Sequence, residues 1–226
     1  MRRRLIVLLV ILAVLVGADF GFRAYAEGKF AADVRVGLGL REDPDLDLGG
    51  FPFAVAMARG KLPSAGVHAE AVTYDGLRVE RFDLELKDVE FSASELLGSG
   101  DGTIRAASGS GSARVTAEDM TQYLMFKGYP GRVTFGDGVT TMDAEILGFP
   151  ISATGPLSID RGRLVFEPTR VEAGGAPISV DQVAFSFELQ RPFEGFEYSR
   201  VDVRSGVATL KARVSNATIR IVRPAA

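Results

Sequence analysis

Leu5 to Val16 is an unbroken run of twelve apolar residues, and Arg2, Arg3 and Arg4 stand directly before it. Val16-Gly17-Ala18 then offers a cleavage point ahead of Asp19. A positive stretch, an apolar core and a cleavage point predict an export signal over residues 1–18, either cleaved or kept as a membrane anchor. As a helix, Leu5–Ala18 spans about 21 Å, short of the roughly 30 Å hydrocarbon core of a bilayer. Both fates place the body of the chain, residues 19–226 as a single domain, outside the cytoplasm in the periplasm or cell envelope.

Beyond that run the period changes. Phe22, Ala26, Phe30, Val34 and Leu38 recur at four-residue steps, with Arg23, Glu27, Lys29, Asp33 and Arg35 between them. This predicts an amphipathic helix over 18–40, weakened at Gly21 and Gly28. Asp43 to Leu48 then alternates with period two, and so do 64–74 and 77–91, the latter with a slip at Arg81 that suggests a bulge. Further strands are predicted at 103–115, 131–136, 138–146, 150–158, 162–173, 178–190, 197–204 and 207–222, separated by turns such as Asp137-Gly138 and Arg204-Ser205-Gly206. The glycine-rich stretch 106–113 reads as a weak strand or a hairpin loop. Two short helices complete the pattern, at Ser94–Leu97 and at Ala117–Lys127, where Thr116 and Asp119 form an N-cap pair. The class is α+β: a long antiparallel sheet that wraps around the N-terminal helix, as long twisted sheets tend to curl.

The residue inventory removes most chemistries. With no cysteine there are no disulfides, no thiolate nucleophile and no Cys-ligated metal. The net charge is −3, falling by three to about −6 without the N-terminal arginines, which disfavours nucleic acid as a partner. The only histidine, His68, alternates onto the face opposite Val67 and Ala69, and no G-x-S-x-G elbow accompanies it. Asp43-x-Asp45-x-Asp47 begins like a calcium loop but has Leu48 and Ala54 where glycine and an acid are required. No metal or cofactor is expected and no catalytic residue stands out.

Apolar surface, by contrast, is abundant. Gly49-Gly50-Phe51-Pro52-Phe53 turns a corner into Val55 and Met57, and the same corner returns as Gly148-Phe149-Pro150. Met120, Tyr123, Leu124, Met125, Phe126 and Tyr129 form another group, and Phe193, Phe196 and Tyr198 a fourth. Each group reads either as core or as the wall of a ligand site, and their place beside Gly and Pro corners favours openings. A sixteen-carbon acyl chain offers on the order of 12 kcal/mol of burial to an apolar tunnel, at about 0.8 kcal/mol per methylene. The candidate lipid-contacting residues are therefore Phe22, Phe30, Phe51, Pro52, Phe53, Val55, Met57, Met120, Tyr123, Leu124, Phe126 and Phe149. Arg59 and Lys61, just past the first corner, are candidates for a lipid phosphate or ordinary residues of a solvated turn.

The export segment, Asp45-Leu46-Asp47-Leu48 running into Gly49-Gly50-Phe51-Pro52-Phe53, the following Arg59-Gly60-Lys61-Leu62, and the later Leu147-Gly148-Phe149-Pro150 and Arg161-Gly162-Arg163-Leu164-Val165-Phe166-Glu167-Pro168-Thr169 together resemble the LmeA-like phospholipid-binding family of actinobacterial cell envelopes. The likeness covers most of the chain after about residue 20 and departs from the family pattern at Arg191-Pro192-Phe193-Glu194-Gly195-Phe196. It implies a fold similar to the tubular lipid-binding type. It also implies a non-enzymatic phospholipid binder or carrier, acting at a membrane surface in the upkeep of lipomannan-type envelope glycolipid, with phosphatidylinositol-type lipid among the candidate ligands. On that reading the two Gly-Phe-Pro corners fold over the mouth of a tunnel. The competing readings are an envelope scaffold with a solid core and a protein partner, and a hydrolase built on His68 or a carboxylate pair.

Overall fold

A computed structural model describes residues 2–38, 40–74, 76–92, 94, 102–146, 148–177 and 185–221. The chain opens with one continuous helix, α1 (Arg2–Leu38), which passes through Gly21 and Gly28 without a break. Its inward stripe keeps the middle of the expected one, Ala26 and Phe30, and departs from it at the start. A strict step of four drifts by about 40° each time around a 3.6-residue helix, so Phe22 and Tyr25 remain exposed. Asp19, Arg23, Glu27 and Ala31 join the inward side.

After β1 (Asp45–Leu48), the corner at Phe51-Pro52 leads into α2 (Phe53–Arg59), a helix the apolar pattern did not predict because seven residues are too few to show a helical period. There follow β2 (Lys61–Tyr74), β3 (Leu77–Phe91) and β4 (Gly102–Thr116), then α3 (Ala117–Phe126). The expected Ser94–Leu97 helix lies outside the described residues, apart from Ser94. Thr116 caps α3 as the sequence indicates: its Oγ accepts the Asp119 N–H at 3.1 Å and donates to the Asp119 carboxylate at 2.7 Å.

The chain then builds two smaller sheets before returning. One contains β5 (Arg132–Phe135), β6 (Thr140–Ile146), β7 (Phe149–Gly155), β10 (Arg170–Ala173) and β11 (Ala176–Pro177), in the order β11-β10-β7-β6-β5. The other holds β8 (Leu157–Asp160), β9 (Arg163–Phe166) and β12 (Phe185–Glu188), in the order β12-β9-β8. Two strands read as continuous are thus split, 150–158 at Pro156 and 162–173 at Pro168, because proline cannot donate to a ladder. The first half of the strand expected at 178–190 lies outside the described residues. Finally β13 (Glu194–Arg204) and β14 (Val207–Ile221) complete a six-stranded antiparallel sheet in the order β1-β2-β3-β4-β14-β13.

The long strands share one irregular level. Leu62↔Val89 and Ser64↔Lys87 pair, but Pro63 and Asp88 between them do not. The same gap falls at Ala107 on β4 and at Asn216 on β14, and β13 shifts register beside Gly195. Asp88 and Asn216 have positive φ (52° and 47°), a conformation their short polar side chains tolerate. Asn216 is the only asparagine in the chain. At this crease each strand spends one extra residue, so inward positions are three apart, as in Leu86/Val89 and Val214/Ala217. No register changes between β2, β3, β4 and β14, because all four slip together.

The inner face of the sheet carries two apolar clusters. One gathers Ala26 of α1, Phe53 and Met57 of α2, and Leu84, Leu86, Val89 and Val214 of the sheet. The other gathers Met120, Tyr123 and Leu124 of α3 with Val115, Val201, Leu210 and Leu164. Phe82 and Tyr198 touch both. Between them, β4 provides a floor of glycine. A Cβ on Gly111 would stand 3.0 Å from the Phe196 ring, and one on Gly109 would stand 2.3 Å from the Glu85 carbonyl. The glycine-rich stretch is therefore strand, kept bare so that neighbouring backbone and the Phe196 ring can close over it. Phe196 in turn meets Phe193 and Tyr198 edge-on, at 5.2 and 5.1 Å between centroids. Gly109→Ala is expected to cost about 1–3 kcal/mol through overpacking, whereas Ser110→Ala on the exposed outer face should change stability by less than about 0.5 kcal/mol. Urea midpoints of the two variants measure this, and equal midpoints would contradict the role given to the bare strand.

Candidate lipid-contacting surface

The first Gly-Phe-Pro corner is anchored from α1. Pro52 precedes α2 and offers no side-chain cap, so the free N–H groups of its first turn look elsewhere. The Asp19 carboxylate supplies them, accepting from Phe53 N at 2.7 Å and Ala54 N at 2.9 Å. Four residues along α1, Arg23 reaches both Glu27 (2.8 Å) and Asp47 of β1, and Glu27 accepts the Leu48 N–H at 2.9 Å. Arg23 and Glu27, expected on the solvent side, instead fasten α1 to the edge strand. At the other end of α2, Gly60 closes the helix in the left-handed region at φ 66°.

This clamp sorts the apolar residues of α2. Phe53 and Met57 point into the core, and the Phe53 ring lies 5.7 Å from that of Phe22. Phe51 (68% exposed), Pro52 and Val55 (41%) point outward. Phe22 joins them from α1 at 42% exposure, with Leu12, Val14, Leu15 and Phe20 exposed on the preceding turns. The result is an apolar shelf on the outside of α1 and α2. Arg59 ends α2 in solvent, with no ion pair among the described residues. Lys61 is paired with Glu90 at 2.5 Å, which raises the lysine pKa and lowers that of the acid. Of the two candidate phosphate contacts, only Arg59 is therefore uncommitted.

The remaining candidates divide. Met120, Tyr123 and Leu124 are buried under α3, and Phe30 is half-buried against the first cluster, so these four serve the core. Phe126 (75% exposed) and Phe149 (65%) are outside, but at the far end of the long strands from α2. The second Gly-Phe-Pro corner opens β7 in the five-stranded sheet. The two corners do not meet at one mouth. Among the described residues, the inner face carries the two clusters, and two open depressions, of about 530 and 390 Å³, are lined largely by polar and charged residues.

The larger depression has Asp83, Glu85, Ser110, Ser112, Lys211 and Arg213 in its lining. Beside it, His68 Nδ1 lies 2.8 Å from Asp83 Oδ1, and His68 Nε2 lies 3.4 Å from Glu85. Ser112 Oγ donates to Asp83 at 3.4 Å and not to the imidazole. A nucleophilic triad needs the reverse order, with the base between hydroxyl and acid. Among the described residues no group of three or more acids and histidines is placed to hold a metal ion.

Exposure was the signal the sequence did not carry. Asp19 in particular is one acid beside an apolar run, and only the contact of α1 with α2 reveals it as a cap. Among the described residues no helix is long and apolar enough to cross a membrane. A family model described as LmeA-like phospholipid-binding matches residues 17–221. No curated protein and no solved structure matches the chain.

Two outcomes follow from this geometry. Asp19→Ala should destabilise the protein by about 1 kcal/mol, and amide exchange should accelerate in α2 but not in β3. Equal α2 exchange rates in wild type and Asp19→Ala would remove the capping role. For Asp83, burial alone would raise the pKa, but the contacts with His68 and Arg81 outweigh it and hold the carboxyl below its ordinary value. The folded pKa thus lies below the unfolded value of about 3.9. Its contribution to stability is present above that value and is lost as pH falls through the folded pKa. The stability gap between wild type and Asp83→Asn, measured by urea midpoints, should therefore narrow from pH 5 to pH 2.5; a constant gap would contradict it.

Proposed function

This chain belongs to the LmeA-like phospholipid-binding family, and we propose that it binds phospholipid non-enzymatically on the α1–α2 shelf. The observation that carries this reading is the outward face of α2. Phe51 and Pro52 at the corner and Val55 on α2 stand in solvent, the helix is capped by Asp19 and closed by Gly60, and Phe22 of α1 is exposed beside Phe53. Acyl chains laid on those side chains remove apolar area from water, at roughly 25 cal/mol per Å². Arg59, at the end of the same helix, supplies a guanidinium that matches a phosphate with two parallel donors. On this reading the chains rest on the shelf and need no preformed tunnel. The curved sheet with its helices on one side supports the likeness to tubular lipid-binding folds.

The N-terminal arginines and apolar run support export to the cell envelope, where the retained segment would hold the shelf beside the plasma membrane. Family membership supports a role in upkeep of lipomannan-type glycolipid, with phosphatidylinositol-type lipid as the ligand. A second reading, an envelope scaffold with a protein partner, draws on the two buried apolar clusters of the inner face. Extraction and mass spectrometry of lipid co-purifying with the full chain separates the two. The double variant Phe51→Asp/Val55→Asp should lose the co-purified phospholipid while its melting temperature stays near that of wild type, since both side chains are exposed. Retention of lipid by that folded variant would sink the shelf. Phe53→Asp is not a substitute, because that side chain is 1% exposed and its replacement reports on folding.

A further inference from the structure

The far end of the long strands carries a second exposed apolar group. Met125 and Phe126 end α3, Tyr129 follows three residues later, and Phe149 stands at the β6–β7 hairpin; they are 60%, 75%, 42% and 65% exposed. Their placement together follows from the backbone. A Cβ on Gly76, in the β2–β3 turn, would lie 3.4 Å from the Phe126 ring. One on Gly131 would lie 3.4 Å from the Ala144 Cβ, which sets the Tyr129–Gly131 segment alongside the end of β6. Ile146 of β6 pairs with Phe149. The β2–β3 turn is one end of β2, and α2 enters the other. With fourteen residues in β2, the two apolar surfaces are about 40 Å apart at roughly 3.3 Å per residue.

We propose that this end is a second lipid-contacting surface, and that its partner is the interfacial layer of a phospholipid bilayer. The composition fits that layer better than it fits a protein groove. Bulky aromatic and thioether side chains project from a helix end and a hairpin, which can dip into headgroups without unfolding any element. A cation stands among them: Lys127 Nζ lies 5.3 Å from the centre of the Tyr123 ring and 5.8 Å from that of Phe126. An ammonium held at the level of the apolar side chains can reach lipid phosphate while they enter the bilayer. Arg132 begins β5 just beyond, in solvent. The acids beside it are Glu145 and Asp143, and Asp143 accepts from Ser152 at 2.7 Å. This surface stands apart from the α1–α2 shelf and does not depend on it.

The chain contains no tryptophan, so a single introduced indole reports one position alone. Phe126→Trp and Phe149→Trp, each in the full chain and checked for unchanged circular dichroism, are mixed with excess vesicles of equal parts phosphatidylcholine and phosphatidylglycerol. Emission from both should shift to shorter wavelength and be quenched when the acyl chains carry bromine, while Ser110→Trp on the outer face stays unchanged. Adding Lys127→Glu to Phe149→Trp should weaken the response. If neither tip indole shifts, or both are blind to brominated lipid, the inference is overturned, whatever Phe51→Trp does in the same vesicles. A Phe51→Trp signal without a tip signal leaves the shelf standing alone; the reverse leaves only the tip.

Discussion

Everything in this molecule follows from one apolar sheet face that must be kept from water by very little helix. Six antiparallel strands, five of them eleven to fifteen residues in length, present Leu84, Leu86, Leu210 and Val214 on a single side. Only the second half of α1, the seven-residue α2 and the ten-residue α3 are available to lie on it. The middle of the face is consequently closed by the sheet itself. Bare glycine on β4 leaves room for the Phe196 ring, and Phe82 and Tyr198 join the two clusters across the middle of the face. Among the described residues, exposed apolar side chains gather on the outward side of α1 and α2, and again at the end of α3 with the β6–β7 hairpin.

That economy separates aromatic residues that look alike in the sequence. Phe51 and Phe53 are two positions apart, yet one is in solvent and the other in the core, because a helix begins between them. The sorting depends on a polar clamp. Asp19, Arg23 and Glu27 sit on successive turns of α1, and each finds its partner on α2 or β1. Carboxylate and guanidinium are costly to bury unpaired, so the clamp fixes the rotation of α1 about its own axis. With that rotation set, Phe22 and Tyr25 have no place to go but outward.

Much of the strand pattern was legible before any coordinates. Period-two alternation located β1, β2, β3, β4, β6, β13 and β14 within a few residues, and the Thr116–Asp119 pair marked the start of α3. What was not legible depends on partners distant in sequence. Nothing in Asp19 itself announces a cap for a helix thirty-four residues on. A row of residues spaced by four found Ala26 and Phe30 on the inward face of α1 but missed Ala31 and the polar Asp19, Arg23 and Glu27 beside them, and it gave no sign that Phe22 would stay 42% exposed. The apolar groups around Met120 and Phe126 were one cluster by composition; a single turn of helix divides them into buried and exposed. Family resemblance pointed to phospholipid, and it had no means of telling which phenylalanines meet it.

The crease at Pro63, Asp88, Ala107 and Asn216 has a bearing on how such a chain can change over time. Because the strands slip in concert, losing one residue from a single strand at that level would invert every side chain beyond it, exchanging greasy positions for charged ones against unmoved neighbours. Length variation in this architecture is thereby confined to the turns and to the two small sheets, while the four long strands β2, β3, β4 and β14 are locked in phase with one another.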